Sequence, residues 1–297
     1  MKTISILILI LFPSILYAQS GSFITSSDGT KLYVQEFGNG KPVILLAGGP
    51  GLNADYLQPI WTKLSITYKC IVLNQRGTGK SILDSVNSNS MSMDNYMSDL
   101  ETMRKQLNLE KLTLIGHSWG SMLAMEYASR YPEKVEKLVL LNPGGLSSNY
   151  IKYFQDNILC RLHEEDIQEI SELSKKNKSI MSAIYPGYFY NRSSALEIKK
   201  TMDFNEINGQ DGVTQLTYNS YFSDQKMRIK NIEKYNGEVS IIAGRQDPMG
   251  ESTFYEIKEH LPQTQIYFIE KCGHFPWLEN QEQKEEFFHL LTEDLKN

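Results

Sequence analysis

Short, continuously apolar runs bounded by turn residues alternate along this chain with longer stretches of helical period. The runs at 32–36, 43–46, 70–73, 112–115, 138–141, 239–242 and 266–269 are predicted strands. Most of them lack the in–out alternation of a strand with one wet face. Strands buried on both faces read this way, so the pattern predicts a mainly parallel sheet between layers of helix, an α/β fold. Helices are predicted over 93–109, 119–130, 251–260 and 281–295, the second stopped by Pro132. From 145 to 235 the alternation lapses: helical signals and Tyr, Asn and Ser dominate, and no buried-strand run occurs. That stretch is predicted to be an inserted helical cap, with 20–144 and 236–297 forming the core. A cap over the carboxyl ends of parallel strands would shape the pocket, because ligands in such sheets bind at that edge.

The first residues have a different character. Met1-Lys2, an apolar run from Ile4 to Leu16 and the small Ala18 predict a signal peptide over 1–19, cleaved after Ala18 or Gln19. The apolar run is short for a membrane span. The expectation is therefore an exported protein, periplasmic or extracellular, with no membrane attachment after cleavage. About 280 residues then remain, enough for one sizeable core with an insertion. The net charge of −5, with basic residues scattered, offers no stripe for nucleic acid. Three cysteines, Cys70, Cys160 and Cys272, do not make the even set of a disulfide framework. Cys and His spacings match no metal site, so neither metal nor cofactor is expected.

The chemistry enters at Gly116-His117-Ser118-Trp119-Gly120, which lies between a predicted strand and a predicted helix. A Gly-x-Ser-x-Gly in that setting is a nucleophile elbow, whose tight turn lifts the serine hydroxyl above the sheet edge. The acid and histidine that activate such a serine follow it in that order. Asp247 comes just past the run at 239–242 and His274 just past the run at 266–269. Among other histidines, His163 falls in the cap, His260 and His289 on helices, and His117 is expected to point away from the elbow. An imidazole to take the hydroxyl proton and a carboxylate to orient it complete an acyl-transfer triad of Ser118, His274 and Asp247. The oxyanion needs backbone donors. The N–H of Trp119 is one; the loop Ala47-Gly48-Gly49-Pro50-Gly51 offers the other, with Gly49 preferred and Gly48 not separable from it by spacing.

With these residues in place the chain resembles the α/β-hydrolase superfamily over nearly its whole length, and within it the proline iminopeptidase branch. Gly48-Gly49-Pro50-Gly51 resembles that branch's His-Gly-Gly-Pro-Gly, and Asn74-Gln75-Arg76-Gly77-Thr78-Gly79-Lys80-Ser81 its Asp-Gln-Arg-Gly-x-Gly-x-Ser. Gly116–Ser121 resembles its Gly-x-Ser-Trp-Gly-Ser. Ala47 and Asn74 depart from the branch's histidine and aspartate. The resemblance implies an aminopeptidase that releases N-terminal proline or a similar small residue from a short peptide. Such an enzyme needs carboxylates for the substrate ammonium, and the cap holds Glu164, Glu165, Asp166, Glu169, Glu206, Asp211, Asp224 and Glu233. A carboxylesterase acting on small-molecule acyl esters would use the same triad without that clamp. A non-catalytic hydrolase-like binding module is the third reading. Tyr185, Pro186, Tyr188, Phe189 and Tyr190 are candidates to line an apolar pocket.

Overall fold

The computed structural model describes residues 20–204 and 208–296; the predicted signal peptide lies outside them, as does Glu206. The chain runs through β1 (Ser20–Thr25), β2 (Lys31–Phe37), β3 (Pro42–Leu46), α1 (Gln58–Leu64), β4 (Lys69–Leu73), α2 (Met93–Gln106), β5 (Leu112–His117), α3 (Trp119–Arg130) and β6 (Val135–Leu141). Helices α4 (Ile151–Leu159), α5 (Glu164–Lys175), α6 (Met181–Ile184), α7 (Arg192–Thr201), α8 (Val213–Ser223) and α9 (Gln225–Ile232) follow. The chain ends with β7 (Glu238–Gly244), α10 (Glu251–His260), β8 (Gln265–Ile269) and α11 (Gln281–Asp294). No helix among the described residues is long and apolar enough to cross a membrane.

All eight strands form one sheet in the order β1-β2-β4-β3-β5-β6-β7-β8. From β4 to β8 neighbouring strands are parallel; β1 and β2 join antiparallel at one edge. The continuous apolar runs follow from this arrangement. Ile44 and Leu46 face one buried core and Val43, Leu45 and Ala47 the other, so both pleats of β3 must be apolar. β1 was absent from the strand pattern because Ser-Gly-Ser-Phe-Ile-Thr alternates weakly at an edge, with Phe23 half exposed.

Parallel connections send every β-to-α turn to the carboxyl edge of the sheet, where β3, β5, β6, β7 and β8 all deliver loops. The segment between β6 and β7 covers that edge. Its helix α8 packs on the loop after β3: Tyr218 donates to the Gly49 carbonyl (3.0 Å) and Thr214 to that of Pro50 (2.6 Å). A buried ion pair, Arg228 to Glu126 (2.9 Å), ties α9 to α3, and Arg228 also donates to the Leu146 carbonyl.

Candidate active site

The turn between β5 and α3 places Ser118 at φ 54°, ψ −115°, a conformation that costs a non-glycine residue on the order of 1–3 kcal/mol. Neighbouring bonds hold it there. Ser118 N donates to the Leu141 carbonyl (2.9 Å), and the Ser121 hydroxyl returns to the Gly116 carbonyl (2.5 Å). The flanking glycines are required by contact: a Cβ on Gly120 would collide with the Leu46 carbonyl, and one on Gly116 with the Gly120 backbone. The strand, the loop after β3 and the helix thus meet too closely for any side chain at these two positions.

Asp247 and His274 arrive from the loops after β7 and β8. Both are buried, and His274 Nδ1 lies 3.0 Å from each Asp247 oxygen. The carboxylate is held from two further directions. Met249 N donates to Oδ1 (2.8 Å) and Asn142 Nδ2 to Oδ2 (2.6 Å). Asn142, at φ 47° just past β6, also donates to the Gly273 carbonyl (3.1 Å), so one side chain fixes both the acid and the histidine loop. Ser118 and His274 line one cavity.

The two glycines of the loop after β3 sit in different surroundings. Gly48 N donates to the Tyr56 hydroxyl (2.6 Å) and is therefore engaged, whereas Gly49, at φ 118°, lines the cavity beside Ser118. Trp119 is the first residue of α3, where backbone N–H groups have no partner within the helix. Its indole Nε1 donates to Gln75 Oε1 (2.8 Å), and Gln75 Nε2 donates to the Ala47 carbonyl (2.8 Å). Gln75 therefore sets the distance between the two amide-bearing segments. The rest of its motif is scaffold: buried Arg76 pairs with Asp99 (2.6 Å) and Asp28 (3.0 Å) and donates to the Ser90 carbonyl.

His117 does not merely point away. It lines the same cavity, its ring centroid 4.7 Å from that of His274. Its Nε2 is 3.0 Å from the His274 carbonyl, which can only accept, so Nε2 carries the proton. Nδ1 then accepts from the Tyr56 hydroxyl (2.8 Å), whose oxygen accepts from Gly48 N. This one-way relay joins the histidine loop, the elbow and the loop after β3 through a neutral imidazole. Burial, with a smaller contribution from His274, holds the His117 pKa well below its ordinary 6.5.

The cavity is aromatic and small, about 80 Å³. Tyr185 and Tyr188 are on its wall with Phe154, Tyr218 and Phe275; Phe189 is packed behind, stacked on Phe275, and Tyr190 is exposed. Among the described residues no carboxylate lines it. Most of the cap acids are engaged elsewhere: Asp166 and Glu165 with Arg192, Glu169 with Lys199, Asp224 with Arg130, and Glu233 with His260. Glu164 and Asp211 are exposed. No group of three or more His, Cys, Asp or Glu among the described residues could hold a metal ion. All three cysteines are free thiols, and burial pushes Cys70 up to about 12.

Residues that pattern reading passed over carry much of this geometry: Tyr56, Asn142 and Glu279. Buried Glu279 accepts from Gly273 N (2.9 Å), Tyr190 N (2.8 Å) and Asn191 N (3.1 Å), which clips the histidine loop to the cap. Only Asn142 carried a local signal, an asparagine directly after a strand and before proline.

The family model for the alpha/beta hydrolase fold matches residues 41–281. The chain belongs to that family. It is 37% identical over 121 residues to a cis-3-alkyl-4-alkyloxetan-2-one decarboxylase of Shewanella oneidensis, covering 40% of this chain and 38% of that protein. It is 38% identical over 120 residues to a putative proline iminopeptidase of Mycoplasma genitalium, covering 40% of this chain and 38% of that protein. The chain thus spans about two fifths of the length of these relatives. An esterase from Exiguobacterium antarcticum superposes with a TM-score of 0.69 at 20% identity, over 94% of this chain and all of that one, a likeness of fold.

Proposed function

We propose that this hydrolase cleaves ester or amide bonds through an acyl-enzyme on Ser118. Ser118 Oγ attacks the substrate carbonyl while His274 Nε2 takes its proton, and Asp247 fixes the tautomer that leaves Nε2 free to do so. The N–H groups of Gly49 and Trp119 receive the developing oxyanion. His274 returns the proton to the leaving group, and water, deprotonated by the same imidazole, then releases the acid. The observation that carries this reading is the buried Asp247–His274 pair, whose histidine lines the cavity that also bears the strained Ser118.

For the acyl side we propose a single small, mainly apolar residue, with 145–235 acting as the cap that selects it. A small, ring-lined cavity and the partial likeness to a putative proline iminopeptidase support release of an N-terminal residue from short peptides. A specific observation favours a second reading, carboxylester hydrolysis: among the described residues the cavity wall has no carboxylate to balance an ammonium. Covalent labelling by a fluorophosphonate, abolished in Ser118→Ala, tests the acyl-enzyme; unlabelled, folded wild-type protein would overturn it. Parallel turnover of proline and alanine arylamides against short aryl esters separates the two substrates.

A further inference from the structure

The loop that carries Gly49 is held by two different parts of the molecule. On its amino side the core holds it: the peptide unit between Ala47 and Gly48 gives its carbonyl to Gln75 Nε2 (2.8 Å) and its N–H to the Tyr56 hydroxyl (2.6 Å). On its carboxyl side the cap takes over. Three consecutive carbonyls accept from it: Gly49 from the Tyr218 hydroxyl (3.0 Å), Pro50 from the Thr214 hydroxyl (2.6 Å) and Gly51 from Gly209 N (2.5 Å). The unit between Gly48 and Gly49, whose N–H is the proposed oxyanion donor, lies between these two sets of anchors. Adjacent glycines leave it free to swivel, so its aim depends on the units on either side being fixed. The unit after it has no N–H, because its nitrogen belongs to Pro50. The Gly49 carbonyl is the polar handle that remains, and Tyr218 holds it. The ring of Tyr218 is placed for this, stacked on Phe222 (5.6 Å) and edge-on to Trp119 (6.1 Å), while its neighbour Thr217 ties α8 to the Tyr96 hydroxyl (3.0 Å).

We propose that Tyr218 is a positioning residue for the reaction: through the Gly49 carbonyl it aims the Gly49 N–H at the developing oxyanion, which makes helix α8 of the cap a working part of the oxyanion site. The inference rests on the Ser118 acyl-enzyme proposed above. Its consequence is a division of labour within one side chain. The Tyr218 ring is cavity wall and acts on any bound molecule, whereas the hydroxyl acts only once charge forms on the substrate oxygen.

Tyr218→Phe, which keeps the ring, tests it with two compounds of similar shape. Ser118 Oγ adds to the carbonyl carbon of 2,2,2-trifluoroacetophenone, its proton passing to His274 and the carbonyl electron pair becoming an oxyanion; 1-phenyl-2,2,2-trifluoroethanol has no carbonyl to attack. Each Ki is read as protection of Ser118 from a fluorophosphonate, and the ratio of the two within one protein does not depend on how much of it is folded. The expected result is a ketone Ki about tenfold higher in the variant with the alcohol Ki unchanged, and kcat for 4-nitrophenyl acetate lower by a similar factor at constant KM. An unchanged ketone Ki, or equal rises for both compounds, overturns the Tyr218 assignment alone, and so does a lower melting temperature with the wild-type Ki ratio. Wild type that labels yet binds the ketone no more tightly than the alcohol lacks the oxyanion site, and the assignment falls with it. Folded wild type that does not label overturns the acyl-enzyme itself.

Discussion

The Tyr56–His117 relay makes a prediction whose size follows from counting hydrogen bonds. Tyr56→Phe leaves two buried groups unpartnered, Gly48 N–H and His117 Nδ1. At about 1–3 kcal/mol per orphaned group, less what the loop regains by relaxing, the expected loss is about 2–4 kcal/mol. For a domain of this size that lowers the melting temperature by about 3–7 °C. His117→Leu orphans a different two, the Tyr56 O–H and the His274 carbonyl. The double variant orphans only Gly48 N–H and the His274 carbonyl, so it must cost less than the sum of the singles by at least about 1 kcal/mol. Guanidinium unfolding followed by tryptophan fluorescence reads this well, because Trp277 stacks on Tyr56. The kinetic effect is on kcat. Freeing Gly48 loosens the adjacent Gly49 donor, and removing such a donor outright costs about 100–1,000-fold, so a loosened one should cost about 10-fold or more. Single variants whose stability losses add in the double, or Tyr56→Phe with wild-type kcat, would refute the relay.

Other consequences follow from the same contacts. Asp247→Asn must set an NH₂ against either Met249 N–H or Asn142 Nδ2 and favours the wrong His274 tautomer; kcat should fall about 10,000-fold, and a loss below tenfold would remove Asp247 from the triad. Because the folded pKa of His117 is depressed, its contribution to stability is complete above 6.5 and is lost as pH falls, at up to about 1.4 kcal/mol per unit below 6.5; denaturant titrations from pH 7.5 to 5 should show that slope, and His117→Gln should abolish it. Glu279→Gln keeps one oxygen for the Gly273 and Tyr190 N–H groups and sets its NH₂ against Asn191 N–H, so hydrogen exchange at Asn191 should rise about tenfold or more. Arg228→Leu removes one of the two cations on buried Glu126 and leaves Arg130 on its other oxygen (2.6 Å), so it should cost about 1–3 kcal/mol by urea unfolding.

Which parts of this were readable beforehand depends on how far each interaction reaches along the chain. Parallel strands such as Cys70–Leu73 announce themselves because both pleats are buried, a property of consecutive residues. Ser118, Asp247 and His274 are legible because each stands just beyond such a run, and the fold puts those positions on one edge. The residues that aim them are not. Gln75 acts on Ala47 28 positions away, Glu279 on Tyr190 89 away, and Asn142 on Asp247 105 away, and no local pattern joins one end to the other. The Asn74–Ser81 motif was visible as a resemblance, but its physical meaning, Gln75 as spacer and Arg76 as buried anchor, exists only once Asp99 and Trp119 have come together.

The acidic residues of the segment 145–235 are a signal that composition alone does not place. They are numerous, and a peptide amine needs acids, so counting them suggests a clamp. Yet a carboxylate on a helix finds its nearest cation first: Asp166 pairs with Arg192, Glu169 with Lys199, and Asp224 with Arg130. Charge that is paired outside the cavity contributes little field within it. What lines the cavity with Ser118 is a wall of rings, and among the described residues no carboxylate.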